Sequence, residues 1–307
     1  VIVTQHSGDG KANQYFLRGF NLDHGTDLAT SVDGIPVNMP THGHGQGYTD
    51  INFVIPELVQ AIEYRKGTYY AETGNFSAAG AVEMRYRRSL AQPLATLELG
   101  ENNYRRGLLA IAPEFSAGTL LLGLDYMTND GPWALPEDLR KINGLARFTR
   151  EGRLGNFTVT AQGYDGRWQS TDQIPKRAVE RGEIDRFGFV NPTDGGESHR
   201  YSLSLNGAGA LGGGDFSVVA YAVDYRLSLV SDVVLREVVG AYLLLCRPGC
   251  GEMACELLTG MDIEAVMAYG VVHCGQCEGM IRASTNGAFL HGFHGRGSTW
   301  NDRFLAA

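Results

Sequence analysis

Cysteine is missing from most of this chain. In a chain of 307 residues none before position 246 is a cysteine, and all five (Cys246, Cys250, Cys255, Cys274 and Cys277) crowd toward the carboxyl end. Thiol redox or thiolate metal chemistry is thereby excluded from the first three quarters of the sequence. No run of 18 or more apolar residues occurs, so no transmembrane helix is expected, although barrel strands escape a search of that kind. The opening Val1-Ile-Val-Thr-Gln5 is neither basic nor followed by a long apolar run, so it does not read as a secretory signal. Net charge is −8, which excludes a general affinity for nucleic acid. No nucleophile elbow, acid pair or phosphate-cradling loop stands out. Gly8-Asp-Gly10 and Gly212-Gly-Gly214 are turns, since neither opens a helix after a strand. No catalytic residues and no cofactor are expected.

What is present begins with a compact run of local signals. Thr30-Ser-Val-Asp-Gly-Ile-Pro-Val37 reads as strand, turn and strand, because Asp33-Gly34 supplies the positive φ of a tight hairpin. Pro36 lacks an N–H to donate, which points to an edge strand. Pro56 stands just inside a predicted helix start, with Leu58, Val59 and Ile62 on one face. Ile62 to Gly67 and Ala79 to Tyr86 read as further strands. A mixed α/β unit this small has a thin core and is marginal alone.

From Leu94 the hydropathy turns to period two. Leu120, Leu122, Leu124 and Tyr126 alternate with Thr119, Gly123 and Asp125, with Leu121 breaking the polar series. Phe157, Val159 and Ala161 alternate with Thr158, Thr160 and Gln162. Tyr201, Leu203 and Leu205 alternate with Ser202, Ser204 and Asn206. Such strands have one apolar and one polar environment. Seven or eight are expected, near 94–101, 104–113, 118–128, 143–151, 155–166, 199–208 and 214–228, with one near 80–88 belonging to the first unit. Short joins (114–118, 150–155, 209–215) alternate with long polar ones (128–143, 165–198), as periplasmic turns alternate with extracellular loops in outer-membrane barrels. Aromatics near strand ends (Tyr104, Phe115, Tyr126, Trp133, Phe148, Tyr164, Trp168, Tyr201, Phe216 and Tyr225) fit interfacial girdles or ordinary strand packing.

The blocks Gln14-Tyr-Phe-Leu-Arg-Gly-Phe-Asn21, Ser31-Val-Asp-Gly-Ile-Pro-Val-Asn38, Gly45 to Glu57, Ile62-Glu-Tyr-Arg-Lys-Gly67 and Tyr70 to Val82, in this order, resemble the plug domain of TonB-dependent outer-membrane receptors. The resemblance implies a mixed α/β plug domain at 1–88, truncated at its amino end, and the first strands of an antiparallel transmembrane β-barrel at 89–229. Barrels of this class close with about 22 strands, so the barrel is incomplete, carrying about a third of that number. Residues 230–307 are expected to be an atypical, irregular tail outside the barrel. The tail lacks lysine, holds every cysteine and loses the alternation, which points to a frameshift or gene-fragment junction near Leu229.

Active uptake of a scarce ligand such as a ferric siderophore, across the outer membrane of a Gram-negative bacterium, is what the resemblance implies. Its partners would be TonB with its inner-membrane energising complex, an extracellular small ligand such as a metal chelate, and outer-membrane lipid. Plug loops near Thr41-His-Gly-His-Gly-Gln46 would then meet the ligand, which nominates His42, His44, Gln46 and Tyr48. By residue type, His42 and His44, with His24 upstream, could ligate a metal or lie in a glycine-flanked solvent loop. Arg18 matches a family arginine that latches the plug to wall carboxylates, and Lys66 is assigned a similar part. The rival reading is a soluble metal-binding protein using the His42/His44 loop or the cysteine tail. His273-Cys-Gly-Gln-Cys277 contains one CxxC, but the spacing of Cys246, Cys250 and Cys255 does not supply a second.

Overall fold

The computed structural model describes residues 2–5, 10–22, 25–39, 47–152, 155–169, 174–211, 214–230 and 297–306. Near the amino end, β1 (Ile2–Thr4), β2 (Gln14–Leu17) and β3 (Phe20–Leu22) form a three-stranded antiparallel sheet. Then come β4 (Leu28–Val32), β5 (Ile35–Pro36), β6 (Val59–Lys66) and β7 (Gly80–Tyr86), in the order β5-β4-β7-β6. In this second sheet β4 and β7 run parallel. Asp33 and Gly34 take φ of 51° and 78°, the left-handed pair that a two-residue hairpin turn requires. Pro36 lies on β5 at the sheet edge, as its missing N–H demands. Tyr15, Leu17, Leu22, Leu28 and Ala79 are buried together between the two sheets.

One expected element is different. The predicted helix from Pro56 is a single 3-10 turn, Pro56–Leu58, and Val59 to Ile62 already belong to β6. Antiparallel pairing of Val59 with Tyr86 and of Ile62 with Met84 takes over where the helical spacing of three apolar residues ended. Tertiary pairing overrides so short a periodic signal.

The remainder is one antiparallel sheet. It comprises β8 (Leu94–Leu99), β9 (Arg105–Ile111), β10 (Glu114–Phe115), β11 (Gly118–Asn129), β12 (Leu139–Gly152), β13 (Gly155–Gln169), β14 (Gly195–Leu211), β15 (Gly214–Val230) and β16 (Gly297–Ala306). Its order is β16-β15-β14-β13-β12-β11-β9-β8, with the short β10 paired only to β11. Among the described residues the sheet stays open. A short helix, α1 (Lys176–Glu180), stands in the 170–194 connection between β13 and β14. Residues 297–306 pair with β15 from Tyr221↔Ala306 to Val230↔Gly297. This part of the expected irregular tail therefore extends the sheet, while its cysteines lie outside the described residues.

Strand direction places the connections 130–138 and 170–194 at one end. The strand ends where Gly152 pairs with Gly155 and Leu211 with Gly214 lie at the other. Parity along the strands decides what faces where. Leu97, Leu109, Leu124, Val159, Leu203 and Leu205 point away from the plug and are exposed. Thr149, Thr158, Thr160, Gln162 and Ser204 point toward it and are buried. Tyr164, Trp168 and Tyr225, grouped with possible girdle aromatics, share the inward parity and are buried against the plug. Tyr126 and Tyr201 face outward. Leu121, the residue that broke the polar series, faces inward and is fully buried in the cluster that joins wall to plug.

Candidate functional site

The site is the seat of the plug on the inner face of the wall, together with the two residues, Met39 and Gly47, that flank the histidine-bearing segment. Two apolar clusters form the seat. Val32, Val37, Phe53, Ile55, Leu58, Met84 and Tyr86 of the plug meet Leu108, Ala110, Leu121, Leu145 and Tyr164 of the wall. Nearer the long connections, Ala12, Ile35, Met39 and Tyr48 meet Leu139, Trp168, Val223, Tyr225 and Leu227. Glycine permits the close approach at Gly123, where a Cβ would stand 2.5 Å from Leu58 Cδ1.

Polar groups are spread through this seat, and each needs a partner once water is excluded. Gln162 Nε2 donates to the Phe53 carbonyl at 2.9 Å and to the Tyr86 hydroxyl at 2.7 Å. Asn143 Nδ2 donates to the Asn52 carbonyl at 3.0 Å. The Arg200 guanidinium stacks 4.1 Å from the centroid of the Phe53 ring. The Tyr225 hydroxyl donates to Asp50 Oδ2 at 3.2 Å. Asp50 also accepts the Asn52 N–H at 2.9 Å. Burial raises the proton affinity of the Asp50 carboxyl above its ordinary value, with those hydrogen bonds and Lys141 opposing it.

Two wall arginines make the least exposed charged attachments, and an exposed pair, Arg88 of the plug with Glu151 of β12, adds a third at 3.2 Å. Arg147 Nη1 reaches Asp33 Oδ2 at 2.5 Å and Thr160 Oγ1 at 3.1 Å. Both ends of this ion pair are nearly out of water, with side chains 6% and 12% exposed. The Asp33 carbonyl accepts from Asn206 Nδ2 at 2.7 Å, and its carboxylate accepts the Tyr86 N–H at 3.3 Å. Burial raises the Asp33 pKa, and the Arg147 guanidinium is the strongest influence pulling it back. Arg106 grips Glu57 through Nη1 and Nη2 at 2.7 and 2.8 Å, and holds Asp125 on the wall at 2.8 Å. The hydrogen bonds from Arg106 keep the Glu57 carboxyl below its ordinary pKa.

The sequence-nominated residues fall into three places. His42, His44 and Gln46 lie outside the described residues, between Met39 and Gly47. The foot of their loop is well fixed. Met39 and Tyr48 bridge, and Gly47 donates its N–H to the Met39 carbonyl at 2.8 Å. Beneath it, Asn38 accepts the Thr30 N–H at 2.6 Å and donates to the Leu28 carbonyl at 2.9 Å. It also donates to Thr49 Oγ1 at 2.9 Å. Tyr48 is buried, and its hydroxyl accepts the Ala12 N–H at 3.0 Å. This foot stands against Leu139 and Trp168, at the wall end that carries the long connections.

Arg18 and Lys66 lie elsewhere, on plug surface that the described wall strands leave uncovered. Arg18 sits at φ 54° in the turn between β2 and β3, with its Nη1 beside Gly67. Lys66 ends β6, with Nζ 5.5 Å from the Tyr64 ring centroid. Among the described residues, no carboxylate is within ion-pair distance of either. Sequence reasoning missed Asn38, Asp33, Glu57 and the two wall arginines. Parity gave a signal for Arg147, which shares the inward series of Asn143 and Thr149. Its partner lies 114 residues away in sequence.

Among the described residues, no group of three or more His, Cys, Asp or Glu side chains is placed to hold a metal ion. Residues 1–81 match the family described as TonB-dependent Receptor Plug Domain. The fold is similar to that of the unliganded ferric citrate transporter FecA, with TM-score 0.59 and 17% identity, over 74% of this chain and 36% of that one. It is similar to the copper transporter OprC, with TM-score 0.55 and 16% identity, over 75% and 34%. It is also similar to the ferric-catecholate import receptor Fiu of E. coli K12, with TM-score 0.55 and 14% identity, over 73% and 35%. The chain thus spans about a third of the length of these solved structures. Residues 1–81 thus match the TonB-dependent receptor plug domain, and the strands after them have the fold of the adjoining wall in these solved structures.

Proposed function

We propose that this chain is the plug and first wall strands of a receptor that imports a scarce ligand, a ferric siderophore or similar metal chelate, across the outer membrane of a Gram-negative bacterium. One observation carries the reading. A small globule with its own core sits on the buried polar face of a sheet whose opposite face is exposed and apolar. That inversion suits a wet bore and a lipid exterior. The transporters that share the fold are named for ferric citrate, ferric catecholate and copper, which supports a metal complex as cargo.

In this reading the ligand meets the plug loop at His42, His44 and Gln46. Tyr48 contributes by fixing the loop's foot rather than by contact. Arg18 and Lys66 latch the plug face turned away from β8–β15. TonB and its inner-membrane partners supply the energy, and the plug moves. Uptake of this kind needs binding and movement, with no covalent chemistry.

The test is fractionation of cells exporting the chain, joined to binding of ferric chelates by the detergent-solubilised protein. Recovery in the outer membrane, release by detergent but not by high salt, and chelate binding weakened about tenfold by H42A/H44A are expected. One good ligand contact of about 1.4 kcal/mol has that effect. Recovery of folded, monomeric chain without detergent would overturn the reading.

A further inference from the structure

The two least exposed charged attachments of the plug run opposite in sign to the latch assigned to Arg18 and Lys66. In them the wall supplies the cations and the plug the carboxylates, whereas the exposed Arg88–Glu151 pair, at 3.2 Å, has the opposite sense. We propose that Arg147 is a positioning residue that fixes the plug by clamping the Asp33-Gly34 turn, with Arg106 and Glu57 as a second, weaker attachment. This rests on the reading of residues 1–88 as a plug seated in a wall, and not on the identity of the cargo.

The geometry sets the first attachment apart. The turn is gripped by three adjacent strands at once. Arg147 of β12 takes its carboxylate while bonded to Thr160 of β13, and Asn206 of β14 takes its carbonyl. Gly34 follows, where a Cβ would stand 3.5 Å from Val219 of β15. On the plug side the turn is tied to the central strand β7. The Asp33 N–H donates to the Met84 carbonyl, and the Gly34 N–H donates to Glu83 Oε1. A pull on this turn is therefore transmitted into the plug sheet. Breaking a buried pair strands the surviving charge without water, so losing either partner is costly, whereas removing both is far less so. The Arg106–Glu57 pair has Glu57 29% exposed, so water and salt share its task.

A double-mutant cycle on the full 307-residue chain in detergent tests the clamp. D33N, R147M and D33N/R147M are compared by the rate at which trypsin cuts after Lys11, which is 7% exposed and precedes Ala12 in the seat against the wall, so that cutting tracks opening of the plug. Each single variant is expected to cut about tenfold faster or more, and the double variant slower than either single. E57Q is expected to change the rate about threefold or less, and its effect to vanish in high salt. A double variant as fast as the product of the singles, or one that fails to fold as the singles do, would overturn the proposal. So would single variants that cut at the parental rate. Each of those outcomes leaves recovery of the chain in the outer membrane unchanged, so failure of the clamp is distinct from failure of the receptor reading.

Discussion

Leu203 and Ser204 are neighbours on β14, yet Leu203 is 55% exposed and Ser204 is 4% exposed. The same reversal runs across the wall. Leu122 pairs with Ala146, Ala146 with Ala161, Ala161 with Leu203 and Leu203 with Ala222. That row is apolar on the outward face. One position over, Arg147 pairs with Thr160 and Thr160 with Ser204, and this row is polar and buried. In a water-soluble protein the leucines would be inside. If the outward face meets lipid, as proposed, the two faces differ in solvent, and identical backbone ladders tolerate opposite chemistry.

A charge on the outward row is the most direct way to break this comparison. L203R is expected to destabilise the chain folded in lipid vesicles by about 2–4 kcal/mol, the cost of arginine near a bilayer midplane. Denaturant unfolding from vesicles measures it. H199R, two rows toward the long connections on the same face, should cost about 0–1 kcal/mol because it lies near the interface. Equal costs at the two positions would mean that no depth-dependent lipid contact exists. The inward face gives the next largest effect. Q162M removes the donor to both the Phe53 carbonyl and the Tyr86 hydroxyl. A buried carbonyl left without a donor costs about 1–3 kcal/mol. The loss should be seen in the same unfolding assay, and should shrink in a chain lacking residues 1–88 if that wall refolds alone.

Much of this architecture was legible because period-two patterning reports environment directly. The Asp33-Gly34 turn, Pro36 at the edge and the outward leucines all follow from local rules. Strand ends did not, and the reason is physical. Alternation of hydropathy stops where a strand leaves the apolar band, but the hydrogen-bond ladder continues. Arg167 and Glu197 look like loop residues and yet sit in paired strands. Parity would have turned Tyr164 and Trp168 inward, since both continue the series of Thr158, Thr160 and Gln162. The strand in place of a helix after Pro56 was hidden, because pairing with β7 is set by residues twenty positions further on. The plug-to-wall ion pairs were hidden for the same reason, since charge partners distant in sequence leave no local trace.

The smallest expected effect sharpens the comparison from within the buried face. Asp50 is a carboxylate enclosed by Tyr48, Tyr15, Tyr164 and Tyr225, with Lys141 and Arg200 as the nearby cations that influence it or its neighbours. Burial is the largest influence on it and raises its pKa. The seated plug therefore holds the Asp50 proton more tightly than the unfolded chain does. The unfolded state binds fewer protons across that window, so this residue's contribution to stability falls as pH rises. The window opens near the ordinary carboxylate pKa of about 3.9 and closes at the raised folded value. Glu57, held below its ordinary pKa by Arg106, acts with the opposite sign and loses stability as pH falls. D50N should remove the first dependence and leave the second, so that unfolding midpoints measured from pH 4 upward decline less steeply than in the parent. A D50N chain with the parental slope would place that proton elsewhere in the seat. It would show that the Tyr225 hydroxyl, 3.2 Å from Oδ2, is enough to keep Asp50 charged inside the wall.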